Sequence, residues 1–93
     1  MATSRDEIRS WIVQGQAQGA RYMIVVCDTY DWEDYPIYVG PDDDFGRRYA
    51  GHNGVNMERI MEIYDLQSDV EAQLQEHRAF HPPADFQRGQ QRR

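Results

Sequence analysis

Arg21-Tyr22-Met23-Ile24-Val25-Val26-Cys27-Asp28 is the stretch on which the fold of this chain turns. It is short, β-branched and unbroken, and its apolar residues fall on both faces. That is the pattern of a central strand covered on both sides, not of an edge strand. Gly19 precedes it and the polar, turn-prone Thr29 to Asp34 follows, so both ends carry stop signals.

Upstream, Ser4-Arg5-Asp6-Glu7 reads as a capping box, in which the serine hydroxyl accepts from a free backbone N–H of the first turn. Ile8, Trp11, Ile12 and Gly15 then recur at helical spacing and share one face. With Gly19 as the C-terminal stop, the spacing predicts a helix from Arg5 to about Gln18. Downstream, Tyr35-Pro36-Ile37-Tyr38-Val39 reads as a second strand ended by Gly40-Pro41, joined to the first by a loop of about six residues. Pro36 cannot donate a ladder hydrogen bond, which places it at the strand's start or facing outward.

Asp42-Asp43-Asp44 suits the N-terminus of a short helix through Phe45, Arg48 and Tyr49, broken by Gly51 to Gly54. Segment 56–66 carries both a helical face (Met57, Ile60, Met61, Tyr64) and strand-like residues. The strand is preferred, because Ser68-Asp69-Val70-Glu71 directly after it reads as a fresh capping box. A last helix then runs from about Asp69 to Arg78, with Val70, Leu74 and His77 inward, and stops at His81-Pro82-Pro83. The expected fold class is α+β: a small, largely antiparallel three-stranded sheet with helices on one face, in the order α-β-β-α-β-α. Residues 1–83 make the single domain and 84–93 a flexible Gln/Arg-rich tail, from which Phe86 can pack back.

With 93 residues there is room for one core only. A domain of this size buries about 60–65% of its unfolded surface, which allows folding alone and also a homodimer that adds buried area. The net charge is -6, and all ten basic residues are arginines. That balance argues against duplex nucleic acid as a partner. One cysteine allows no internal disulfide, the N-terminus carries no signal-peptide pattern, and Met23–Cys27 is too short to span a bilayer. The expected location is cytoplasmic, without membrane contact.

The most unusual stretch is Cys27-Asp28-Thr29-Tyr30-Asp31-Trp32-Glu33-Asp34-Tyr35, four acids and three aromatics between two strands. Aromatics dominate binding energy at interfaces. This makes Tyr30, Trp32, Tyr35 and Tyr38 candidate anchors, with Asp31, Glu33 and Asp34 tuning charge. Clustered carboxylates can also hold a hard cation, but no EF-hand spacing is present. A solvated loop whose aromatics prop the hairpin against the first helix is the plainest reading of all.

Other groups are weaker candidates. Cys27 ends an apolar strand and suits a structural role; a nucleophile needs a base, for which His52 is the best placed and Asp28 a possible third member. His77 and His81 are four apart, but Pro82 follows directly and no third zinc ligand is evident. Asp44-Phe45-Gly46 spells a kinase magnesium motif without the Gly-rich or catalytic loops that would give it meaning. Neither a Walker A nor a dinucleotide fingerprint occurs, and no cofactor or metal is implied.

The segment Ala20 to Asp31, continuing through Glu33-Asp34-Tyr35-Pro36-Ile37-Tyr38-Val39, resembles small uncharacterised proteins of bacteria and their phages, as does Met61-Glu62-Ile63-Tyr64-Asp65-Leu66. The resemblance covers under half of the chain. It implies an intracellular bacterial or phage origin and brings no activity, cofactor or site residue. A phage origin would make an inhibitor of a host protein a natural subclass.

Three functions follow in order of preference. The first is a non-enzymatic recognition module that binds a protein partner through Asp28–Tyr35, with the face of strand Ile37–Val39 as a further contact. The second is an oligomeric small-molecule or nucleotide-sequestering protein, with aromatics stacking a base, Arg47 and Arg48 meeting phosphate, and a pocket at a subunit interface. The third is a small hydrolase using Cys27 and His52, or the carboxylates.

Overall fold

The computed structural model describes residues 3–84 and Phe86. Its elements are α1 (Arg5–Ala17), β1 (Tyr22–Asp28), β2 (Glu33–Val39), α2 (Phe45–Ala50), β3 (Glu58–Asp65) and α3 (Val70–Leu74). The sheet is antiparallel throughout, in the order β2-β1-β3, which puts the doubly apolar strand at the centre. Segment 56–66 therefore resolves as strand over Glu58–Asp65, with Asn56 and Met57 in the turn before it, and the fold is α+β in the expected order.

Alternation along β1 divides the core in two. Met23 and Val25 face α1 and α3, where Ile8, Ile12, Tyr64, Leu66 and Leu74 complete one cluster. Tyr22, Ile24 and Val26 face the other way, onto Ile37, Val39, Ile63 and Phe45 of α2. The expectation of helices on one face holds for α1 and α3. Phe45 and Tyr49 bring α2 to the opposite face, because a sheet with apolar residues on both sides needs cover on both. Phe86 joins them, with its ring centroid 5.1 Å from that of Phe45 and 4.8 Å from that of Tyr49. The rest of the expected tail, Asp85 and 87–93, lies outside the described residues.

Local sequence sets most boundaries. Ser4 caps α1 by accepting from the Glu7 N–H at 3.1 Å, and Gly19 takes the left-handed conformation (φ 79°) that ends it. Asp44 caps α2, accepting from the Arg47 N–H at 3.2 Å, while Asp43 accepts from the Gly40 N–H at 2.8 Å. Two expectations need correcting. The β1–β2 ladder extends to Cys27↔Asp34 and Asp28↔Glu33, so β2 is longer than Tyr35–Val39 and the loop shrinks to residues 29–32. Of the two places expected for Pro36 the strand's start is excluded: it falls inside β2, opposite Val25 on an edge strand, where a missing donor is tolerated.

Helix α3 is also shorter than the expected Asp69–Arg78, and its cap is Asp69 rather than Ser68. Past Gln75 the backbone leaves the helix to run beside β3. The Ile63 N–H donates to the Ala79 carbonyl and the His81 N–H to the Ile63 carbonyl, each at 3.0 Å. Arg5 replaces the missing helical partners, donating from Nη2 to the carbonyls of Glu76 (3.0 Å) and His77 (3.2 Å). Its Nη1 donates to both oxygens of Glu62 at 3.3 Å and to the Tyr64 hydroxyl at 3.0 Å. The buried Glu62 is thereby neutralised, and the start of α1 is tied to the turn after α3. His77 is exposed, not inward. Among the described residues no helix is long and apolar enough to cross a membrane.

Candidate functional site: an apolar patch at one end of the sheet

The loop after β1 is built by its own acids. Asp28 accepts through Oδ1 from the Tyr30 N–H at 2.9 Å and through its carbonyl from the Trp32 N–H at 2.7 Å. Asp31 Oδ1 accepts from the Glu33 N–H at 3.3 Å. Such side-chain bonds two residues along are what make aspartate a turn former. They close the loop around Trp32, whose φ of 60° lies in the left-handed region. A side chain there costs about 1–2 kcal/mol. The strained turn holds the two aromatics outward, Tyr30 79% and Trp32 58% exposed.

A second loop, reached from α2, lies against the first. Asn56 and Met57 are also left-handed, at φ 54° and 64°, and the chain there presents Val55 (42% exposed) and Met57 (57% exposed) to solvent. The Thr29 N–H and hydroxyl both donate to the Met57 carbonyl, each at 2.7 Å, and join the two loops. Four of the six large exposed apolar side chains among the described residues thus sit at one end of the sheet. Sequence reading named Tyr30 and Trp32 but missed Val55 and Met57. The available signal was Val55 in the Gly- and Asn-rich stretch 51–56, with Met57 just beyond it counting instead towards a helical face with Ile60, Met61 and Tyr64.

Beneath the patch, a bulge does the positioning. The β1–β3 register moves from Val25↔Glu62 to Val26↔Ile60, leaving Met61 as the extra residue. Strict alternation would point Ile60 and Glu58 to the same face as Glu62; the bulge turns them to the other. Glu58 there accepts a hydrogen bond from the Tyr35 hydroxyl, and His52 Nδ1 lies 2.9 Å from its other oxygen. These contacts hold the Glu58 carboxyl below the usual carboxylate range. Burial, reinforced by Glu58, pushes the Tyr35 phenol up to about 12. Tyr35 is therefore a prop of the second loop rather than an exposed anchor.

The remaining candidates are dispersed. Tyr38 packs under α1, its hydroxyl donating to the Trp11 carbonyl at 2.8 Å. Asp31 and Glu33 are exposed, whereas Asp34 is half-buried and accepts from the Thr3 hydroxyl at 2.8 Å. Arg48 is 3.6 Å from Asp43, and Arg47 points into solvent. His81 pairs with Glu76 at 2.8 Å. Among the described residues, no three of His, Cys, Asp and Glu are arranged to hold a metal ion.

Cys27 and His52 are not brought together. Cys27 is buried on the face of Met23 and Val25, opposite Asp34 in the ladder, while His52 is engaged with Glu58 on the other face. Burial and the Asp34 carboxylate push the Cys27 thiol up, away from the thiolate that a nucleophile needs.

What the arrangement offers chemically is a rigid apolar surface, edged by carboxylates and anchored by hydrogen bonds rather than by packing alone. Comparison of the chain with protein-family models, with curated proteins and with solved structures found no match.

Proposed function

We propose that the protein is a non-enzymatic recognition module, which binds a protein partner through Tyr30, Trp32, Val55 and Met57 at the loop end of its sheet. One observation carries this reading: a strained backbone turn at Trp32 spends stability to hold a large aromatic in solvent. Strain of this kind clusters where a chain is shaped for a ligand. Exposed tryptophan and tyrosine, side by side on a rigid loop, are the residue types that form the energetic centre of interfaces. The hydrogen bonds of Asp28, Asp31 and Thr29 preorganise the surface, so little ordering entropy is lost on association. Should the chain come from a phage, an inhibitor of a host protein fits the same surface.

Affinity capture with wild-type protein and two variants tests the proposal. Trp32→Ala removes an anchor of the patch, and Phe80→Ala removes an exposed aromatic from the segment that bridges to Ile63 of β3, outside the patch. A protein retained by the wild type and by Phe80→Ala but lost with Trp32→Ala supports the assignment. Equal retention by Trp32→Ala and the wild type sinks it.

A further inference from the structure

The charges around the patch are unevenly matched. Arg5, Arg9, Arg21 and Arg48 are each paired with a carboxylate of the chain itself, on Glu62, Asp6 and Glu71, Asp65 and Asp43. The two histidine pairs use Glu58 and Glu76. Among the described residues no ion pair involves Asp28, Asp31, Glu33 or Asp34, the four acids that flank Tyr30 and Trp32. In a chain of net charge -6, the exposed apolar patch is thus bordered by four carboxylates outside any ion pair among the described residues, with Arg59, opposite Cys27 in the ladder, the positive charge of the neighbouring strand.

We propose that the partner seats an arginine-bearing, otherwise apolar segment on Tyr30, Trp32, Val55 and Met57, with its guanidinium over the aromatic rings and paired to Asp31 and Glu33. The inference rests on the recognition reading above and names the chemistry of its partner. Three features of the patch select arginine. Its planar cation stacks on an indole or phenol face and still presents N–H groups at its edge. The carboxylates of Asp31 and Glu33 stand on either side of Trp32 in the chain and are exposed, and such acceptors are what that edge pairs with. Val55 and Met57 extend the surface beyond the rings and fit aliphatic neighbours of the arginine; methionine adapts to irregular shapes. An acidic segment is disfavoured by the same four carboxylates, and a purely apolar one leaves them unpaired at the rim.

The test is selection from a random linear peptide library on immobilised full-length protein, followed by titration of the enriched peptides. Two variants serve as reporters: Trp32→Ala, and the double change Asp31→Asn with Glu33→Gln. Asparagine at 31 keeps the acceptor for the Glu33 N–H, so the double variant alters charge and spares the turn. The proposal expects enriched peptides that carry arginine beside apolar residues and lose at least about thirtyfold in affinity with Trp32→Ala. They should weaken roughly fivefold to tenfold with the double variant. Their binding should also fall as salt rises. Peptides that depend on Trp32 but lack arginine, or ignore the double variant and salt, overturn the arginine inference and leave the recognition reading standing. Selection that yields no Trp32-dependent peptide overturns both.

Discussion

Thr29 makes two hydrogen bonds to one atom: its backbone N–H and its hydroxyl both donate to the carbonyl oxygen of Met57, each at 2.7 Å. The pair joins the loop of Tyr30 and Trp32 to the loop of Val55 and Met57, across sequence that no local propensity connects. Thr29→Val keeps the shape and the backbone bond and deletes the hydroxyl. It should cost about 0.5–1.5 kcal/mol in denaturant unfolding. Because the second loop loses half of its tether, amide exchange at Gly54 and Glu58 should quicken in step. Unchanged exchange there would mean that the loops are held independently.

The backbone at Trp32 allows strain to be separated from side-chain loss. Trp32→Ala and Trp32→Gly remove the same indole, but alanine at φ 60° keeps the clash between Cβ and the backbone, whereas glycine does not. Trp32→Gly should therefore be more stable than Trp32→Ala by roughly 1 kcal/mol, although glycine ordinarily destabilises a chain. Both variants should lose the partner equally. Thermal unfolding gives the first comparison and capture the second; a glycine variant no more stable than the alanine one would remove strain from the account of this loop.

Tyr35 and Glu58 predict how the second loop responds to pH. Glu58 titrates lower in the folded chain than in the unfolded one, held by bonds from Tyr35 and His52. The unfolded state then binds its proton first as pH falls, so this contribution is present above about 4.5 and fades on acidification through the folded value. Tyr35 runs the other way. Its folded value of about 12 lies above the ordinary 10.0 of a free phenol, so its contribution is full below 10 and is lost as pH climbs towards 12. Tyr35→Phe should reduce the phenolate absorbance change near 12 by one tyrosine's share, and Glu58→Gln should flatten the acid limb of stability. A Tyr35 step at the ordinary value would contradict the bond to Glu58.

Much of the scaffold was legible in local signals, and the patch only in part. Ser4, Gly19, Asp44 and the two-faced run Tyr22–Cys27 act through short-range rules, which is why α1, β1 and α2 fall close to where those residues place them. Helix α3 ends before the expected Arg78 where Arg5, far away in sequence, supplies donors to the carbonyls of Glu76 and His77. Glu58 shows the sharper limit. Alternation counted back from Glu62 puts it on the α1 face, and only the bulge at Met61, visible in the pairing with β1, turns it towards Tyr35 and His52. Val55 and Met57 escaped for a related reason: left-handed backbone at Asn56 and Met57 points side chains where no periodic pattern does.

Cys27 gives the most direct test of whether this chain does covalent chemistry. Its thiol is buried on the α1 face of the sheet, opposite Asp34, and both burial and that carboxylate raise its pKa. A reactive cysteine shows the reverse, an accessible thiol lowered by neighbouring positive charge. Alkylation by iodoacetamide at mildly alkaline pH should therefore be at least about tenfold slower in the native protein than in denaturant, limited by opening of the central strand. Cys27→Ala should leave partner capture intact and lower stability slightly, since the thiol packs as a small apolar group. Native alkylation as fast as in the unfolded chain would place Cys27 at the surface and return it to consideration as a nucleophile; slow alkylation removes Cys27 from that role.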